Sequence, residues 1–393
     1  MHRQRLEAMM EATRLTREGR LAEATALLQG GLGGSSAGPA FVEQTVPGPS
    51  PSWRKSPGTF PGGLGSVSLQ DLLSRLPGNV RVHPGRSASA GAGLPGRWLH
   101  GSYANRAGQR DYRLYVPSGY AGQPVPLLTM LHGGTQTADD FAAGTCMNEL
   151  AERQTFLVVY PEQSADANPM RYWNWFQRAH QHRDTGEPSL IAGITRHVAA
   201  EYAIDTARMY VAGFSAGAAM AAVMAACYPD VYAAVGVHSG LAYGVASDVR
   251  SAFAAMKHGA RRRSAAGTVP LIVFHGDGDP TVDHVNAECL VDVWLGAAGE
   301  PSSRYGVLTH AGQVPQGRHY TRKAFTDGEG APVIEQWTIH GGGHAWAGGS
   351  SRGSYTDPLG PNASAELVRF FLQHTNAAAP ERRPRRRLHA LHA

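Results

Sequence analysis

The sequence predicts an α/β protein, a mostly parallel sheet wrapped by helices, and two observations carry that expectation. From about Arg97 onward, short strand-like apolar runs alternate with helix-like ones, the pattern of successive strand and crossover-helix units. The composition, 42% hydrophobic and 17% charged, supports a packed core, while 48 Gly and 25 Pro imply many turns and some unstructured linker. In chain order the apolar runs predict strands at Asp111–Val116, Leu127–His132, Phe156–Pro161, Met209–Ala212, Ala233–Val237, Leu271–His275 and Val333–His340. Helices are expected between them, notably Ser189–Tyr202 and Ala216–Tyr228.

Outside this region the composition changes. Residues 1–29 predict a helical hairpin: Leu6, Met9 and Met10 lie at helical spacing, Gly19 interrupts, and Leu21, Ala24, Leu27 and Leu28 resume the pattern. Such a hairpin must dock, either on the chain's own folded domain or a second copy, or on a partner or hydrophobic surface. Residues 30–95 are rich in Gly, Pro, Ser and Ala, a linker composition that cannot bury enough surface to fold. A folded domain is expected over 96–376 and a disordered basic tail over 377–393, where Arg382, Arg383, Arg385, Arg386 and Arg387 cluster. That tail holds much of the formal net charge of +5, so the balance predicts a solvated tail rather than a nucleic-acid partner. No run of 18 apolar residues suggests a transmembrane segment. The N-terminal stretch has Arg and Glu scattered through it instead of the continuous apolar core of a secretory signal. Cys146, Cys227 and Cys289 are far apart and odd in number, which predicts reduced thiols and a cytoplasmic setting.

Three segments match Gly-x-Ser-x-Gly, and context separates them. Gly34–Gly38 and Gly349–Gly353 lie in glycine-rich surroundings, whereas Gly213–Gly217 (GFSAG) follows the strand-like MYVA and opens the alanine-rich AGAAMAAVMAACY. A sharp turn from strand to helix exposes the serine hydroxyl at a helix N-terminus, where backbone N–H groups favour developing negative charge. Ser215 is therefore the candidate nucleophile. A serine hydroxyl needs an adjacent base oriented by a carboxylate. In LIVFHGDGDPTVDHV, Asp279 is the expected acid, with Asp277 read as a turn-former and Asp283 as a cap. After the last strand, EQWTIHGGGHAWAGG offers His340 and His344; His344 is the expected base and His340 is read as structural. The HxxxH spacing is not on a helix and lacks an evident third ligand, so no metal and no cofactor is expected. The run LLTMLHGGTQTADDF sets two glycines directly after a strand, and the backbone N–H groups of Gly134 and Ala216 are the expected oxyanion donors. Trp173 and Trp346 are candidate substrate contacts.

Taken together, LHGGTQTADDFAAGT, VVYPEQ, WNWF, GEPSLIAGI, VAGFSAGAAMAAVMAACYPDVYAAVGVHSGLAYG, SAFAAM, FHGDGDPTVD and GGGHAWAGG resemble the esterase family of polyhydroxybutyrate depolymerases and their relatives. The resemblance spans about residues 97–375, and EATRLTREGRLAEATALLQ in the hairpin also resembles members of the group. It implies an α/β-hydrolase fold, a triad at Ser215, Asp279 and His344, an oxyanion loop at Gly134 with Ala216, and cleavage of short-chain hydroxyalkanoate esters through an acyl-enzyme. One position pair departs: many relatives carry cysteines where this chain has Gly134 and Tyr172, so the crosslink they would be able to form is absent. The expected substrate is a polyester or small ester, met in the cytoplasm, with the hairpin or basic tail touching a polyhydroxyalkanoate granule. The competing expectations are a carbohydrate esterase of acetylxylan or feruloyl type, a general carboxylesterase, or a non-catalytic granule-binding protein.

Overall fold

The structure, a computed structural model, describes residues 93–260, 269–297 and 305–376. All of them belong to the second of two units, Ser66–Ala393. The predicted hairpin, the linker up to residue 92 and the basic tail lie outside the described residues.

The strands are β1 (Arg97–Asn105), β2 (Gly108–Val116), β3 (Val125–Leu131), β4 (Leu157–Pro161), β5 (Ile204–Phe214), β6 (Ala234–His238), β7 (Leu271–Gly276), β8 (Gly306–Gln313), β9 (His319–Thr326) and β10 (Pro332–Ile339). Among the described residues these ten form one sheet in the order β1-β2-β4-β3-β5-β6-β7-β10-β9-β8. From β4 to β10 the pairings are parallel, and at each edge the outer pairings are antiparallel. A two-residue pair, β11 (Trp346–Ala347) and β12 (Thr356–Asp357), stands apart from the sheet. The helices are α1 (Ala138–Thr145), α2 (Met147–Gln154), α3 (Gly186–Glu201), α4 (Ala216–Cys227), α5 (Val249–His258), α6 (Val285–Ala297) and α7 (Ala363–Phe371).

The mostly parallel sheet wrapped by helices is the architecture the sequence predicts, and burial explains why its centre was legible. Every residue of β3, β4, β6 and β7 is buried, because helices cover both faces and both sets of alternating side chains must be apolar. Along β5, Met209 and Val211 enter one core, while Tyr210, Ala212 and Phe214 enter the other, the two-residue alternation of a strand read twice. The first core contains residues of α3, α4, α5 and α6; the second contains residues of α1, α2 and α7.

Besides the short β11 and β12, three strands of the large sheet were not expected from the sequence: β1, β8 and β9. They are antiparallel edge elements, and β8 is exposed along nearly its whole length, so no buried face imposes an apolar pattern on it. β5 likewise begins five residues before the predicted Met209, because Asp205–Arg208 is only partly buried.

Candidate active site

Four loops at the C-terminal ends of β3, β5, β7 and β10 converge, and they carry the residues the sequence singled out. Ser215 stands between β5 and α4 at φ 54°, ψ −119°, a conformation that a side-chain-bearing residue adopts only when its surroundings enforce it. The enforcement is steric. A Cβ on Gly213 would lie 2.4 Å from the carbonyl of Gly217, and one on Gly217 would lie 2.1 Å from the carbonyl oxygen of Leu131. The two glycines of GFSAG thus let the turn close and let α4 press against the end of β3. The Ser215 N–H donates to the His238 carbonyl at 2.9 Å, pinning the turn to the neighbouring strand β6. The match at Gly349–Gly353 instead lies in a turn with Ser351 exposed, and the one at Gly34–Gly38 is outside the described residues.

The Ser215 hydroxyl is 2.9 Å from His344 Nε2, and His344 Nδ1 is 2.7 Å from Asp279 Oδ2. A carboxylate only accepts, so the imidazole proton sits on Nδ1 and Nε2 faces the serine as a free base. Asp279 is held in turn: its Oδ1 accepts the N–H groups of Thr281 and Val282 at 2.8 and 2.9 Å. Burial alone would raise its carboxyl, yet the charge of His344 and the hydrogen bonds from His275 and His344 hold it well below the usual carboxylate range. His275 lies 3.5 Å from Asp279 Oδ2 while donating from Nε2 to the Val282 carbonyl at 2.8 Å.

The alternatives separate cleanly. Asp277 pairs with His340 Nδ1 at 2.8 Å and accepts the Gly341 N–H, tying the β7 and β10 loops together at the surface. Asp283 accepts the Val285 N–H at the start of α6. His340 and His344 therefore engage different carboxylates rather than a common point.

On the β3 loop, Gly133 donates its N–H to Gln136 Oε1 at 2.9 Å and Thr135 donates to the Met170 carbonyl at 2.8 Å. Between them, the Gly134 N–H makes no hydrogen bond among the described residues. Ala216 is the first residue of α4, whose N–H has no partner inside the helix. Two uncommitted donors therefore flank the turn that bears Ser215.

The two tryptophans require a correction. Trp173 and Trp346 are 0% and 1% exposed, so neither presents a surface to a substrate. Trp173 donates to the His132 carbonyl at 3.1 Å, and Trp346 donates to Ser364 and packs against His238, ring centroids 4.9 Å apart. Large rings near a site brace its loops when strands end there, and the sequence did not distinguish bracing from contact. Half-buried Tyr172 and Tyr355 occupy the rim instead. A Cβ on Gly134 would strike the Tyr172 ring at 2.0 Å, so the phenol packs directly against this loop. Tyr355 reaches Thr135 with its hydroxyl at 3.2 Å and, like His344, packs on Phe214. Tyr355 and Thr135 are both at positive φ, 52° and 65°. No sequence motif announced Tyr355, and Tyr172 stood out only as a departure from the family pattern.

Residues 110–301 match the family described as Esterase PHB depolymerase. The chain is 32% identical over 257 residues to poly(3-hydroxyalkanoate) depolymerase C of Paucimonas lemoignei, covering 62% of this chain and 60% of that protein. Over these residues the chain is similar to the PHB depolymerase family of esterases. A probable acetylxylan esterase A of Aspergillus fumigatus is 33% identical over 142 residues, covering 34% of this chain and 36% of the relative. The chain thus spans less than two thirds of the length of these curated relatives. Its fold is that of the acetyl xylan esterase from Aspergillus awamori, with a TM-score of 0.56, 20% identity, and coverage of 70% of this chain and 98% of that one.

Proposed function

We propose that this chain is a serine ester hydrolase that cleaves short-chain hydroxyalkanoate esters, polymeric or oligomeric, through an acyl-enzyme, with Ser215 as nucleophile, His344 as general base and Asp279 as its orienting acid. The observation that carries the reading is the continuous Ser215–His344–Asp279 hydrogen-bond chain of 2.9 and 2.7 Å on a strained strand-to-helix turn. As Ser215 Oγ attacks the ester carbonyl, His344 Nε2 takes its proton. Asp279 stabilises the imidazolium that forms, and its depressed pKa keeps it anionic throughout. The N–H groups of Gly134 and Ala216 receive the negative charge on the former carbonyl oxygen. His344 then protonates the departing alcohol oxygen, and water, deprotonated by the same histidine, releases the hydroxy acid. Tyr172 and Tyr355 form the rim that receives the acyl or alcohol chain.

The substrate class rests on the likeness to a poly(3-hydroxyalkanoate) depolymerase. The setting that goes with it is the cytoplasm, at a polymer granule. A second reading, esterase action on acetylated polysaccharide, is favoured by the curated relatives described as acetylxylan esterases. One experiment separates them: hydrolysis of a 3-hydroxybutyrate oligomer, p-nitrophenyl acetate and acetylated xylan by the wild type and Ser215→Ala. The expected outcome is oligomer cleavage that the variant loses by about 10⁴-fold or more. Xylan deacetylation without oligomer cleavage would transfer the assignment to the second reading, and full activity of Ser215→Ala would remove the nucleophile.

A further inference from the structure

We infer that His132 is a positioning residue that fixes the direction of the Gly134 N–H by holding the carbonyl at the other end of the same peptide group. The inference rests on the proposed serine-esterase reading and goes beyond the triad and its oxyanion donors.

A trans peptide is planar, so the C=O of Gly133 and the N–H of Gly134 point to opposite sides of one rigid unit. That unit joins two glycines, which lack the Cβ that restricts φ and ψ elsewhere. Rotation of the whole peptide plane between two glycines is sterically cheap. Its result would be disastrous for acyl transfer, because a carbonyl oxygen would then face the position where negative charge develops. A Gly-Gly oxyanion loop therefore needs a device that removes the flipped state.

The device is a clamp on the Gly133 oxygen. His132 Nδ1 lies 2.7 Å from it, and the Gln136 N–H reaches it at 3.3 Å. The proton position on His132 follows from its other nitrogen: Nε2 accepts the Gln163 N–H at 3.0 Å, so Nδ1 carries the hydrogen and donates. The ring is fully buried, and that burial pushes its pKa below the ordinary histidine value, which keeps Nε2 available as an acceptor. His132 is itself anchored on both sides. Its carbonyl accepts Trp173 Nε1–H, and Gln163, which supplies the N–H to its ring, donates from its amide to Glu187 and to the Tyr172 carbonyl at 2.5 and 2.8 Å. With the carbonyl held from this side, the Gly134 N–H has one direction left, toward the serine turn.

Two substitutions separate the donor from mere bulk. His132→Asn keeps an N–H near the Nδ1 position; His132→Gln extends its amide toward Nε2 and leaves the Gly133 oxygen without a side-chain donor. Steady-state kinetics with p-nitrophenyl acetate, normalised to active sites counted from the p-nitrophenol burst, should show kcat of His132→Gln reduced by about 100-fold with KM little changed, the scale of losing one oxyanion donor. His132→Asn should recover most of that loss. Unchanged kcat in His132→Gln, or an equal loss in both variants, would overturn the clamp. Should the variants fold poorly, ¹⁵N-histidine NMR of the wild type decides it: a protonated Nδ1 and bare Nε2 on His132 support the clamp, and the opposite tautomer overturns it. A wild type without any esterase activity would instead overturn the site reading on which the clamp depends, so the two failures are distinguishable.

Discussion

At the scale of single residues, the site depends on side chains whose work is to aim other groups. Asp279 accepts two backbone N–H groups and faces His275, so its carboxylate has one oxygen left for His344. Replacing it with Asn would leave the geometry nearly intact but offer an N–H to His344 Nδ1, driving the imidazole proton to Nε2, where it cannot accept from Ser215. Asp279→Asn should accordingly lower kcat by about 10⁴-fold with little effect on KM, as in other triads. A loss below about 10-fold in steady-state assays would show that another group orients the base. Gly134 and Tyr172 illustrate how a departure from the pattern the resemblance implies is absorbed: a phenol ring here fills the space a Cβ on Gly134 would take. Burial pushes that phenol up to about 12, so it stays neutral beside the oxyanion loop.

At the scale of elements, the close approach of α4 to the end of β3 is what brings the two oxyanion donors to one point. α4 is apolar all round because it is enclosed by β3, β5, β6 and α3, and its small residues let backbone meet backbone. Gly217 is the tightest contact. Gly217→Ala should cost about 1–3 kcal/mol in urea unfolding, the range for overpacking a filled core, and should reduce kcat further than that loss of stability explains, since the strand end that carries His132 must move. Gly296 in α6 is the matched control: it has nothing within 4 Å of a built Cβ. Gly296→Ala should leave activity unchanged and raise stability by up to about 1 kcal/mol through helix propensity. Equal effects at the two positions would show that the α4–β3 approach is not the constraint.

At the scale of the whole molecule, buried neutral histidines at strand ends couple folding to pH. His132 follows β3 and His238 ends β6; both are fully buried, and burial pushes both below the ordinary histidine range, His238 further lowered by His275 and His344. His238 accepts the Ala347 N–H at Nε2, at 3.0 Å, and so ties the loop after His344 to the sheet. Because the unfolded chain binds these protons near pH 6.5 and the native state does not, stability rises with pH across that range and is lost as pH falls below it. Each histidine contributes a slope of up to about 1.4 kcal/mol per pH unit below about 6.5 until its native value is reached. Thermal melts from pH 7.5 to 5 should show Tm falling with acidification, with a shallower fall in His132→Asn. A pH-independent Tm over that window would contradict the neutral, buried state.

The sequence by itself determined the parallel core and the identities of the converging residues. Buried strands must be apolar on both faces, and a nucleophile turn needs small residues around its serine, so both leave marks in local sequence. GFSAG, FHGDGD, GGGH and LHGG were legible for that reason. What only the tertiary structure decided lies where no local rule applies. The exposed β8 has no pattern because nothing buries it. Trp173 and Trp346 are braces rather than contacts because β3 and α7 pack over them. Tyr355 meets Thr135 across 220 positions of chain. The clamp on Gly133 exists because β4 ends beside β3 and brings the Gln163 N–H to the far side of His132. Contacts of that kind are set by which strand ends lie side by side, a property of the folded sheet that no stretch of residues encodes alone.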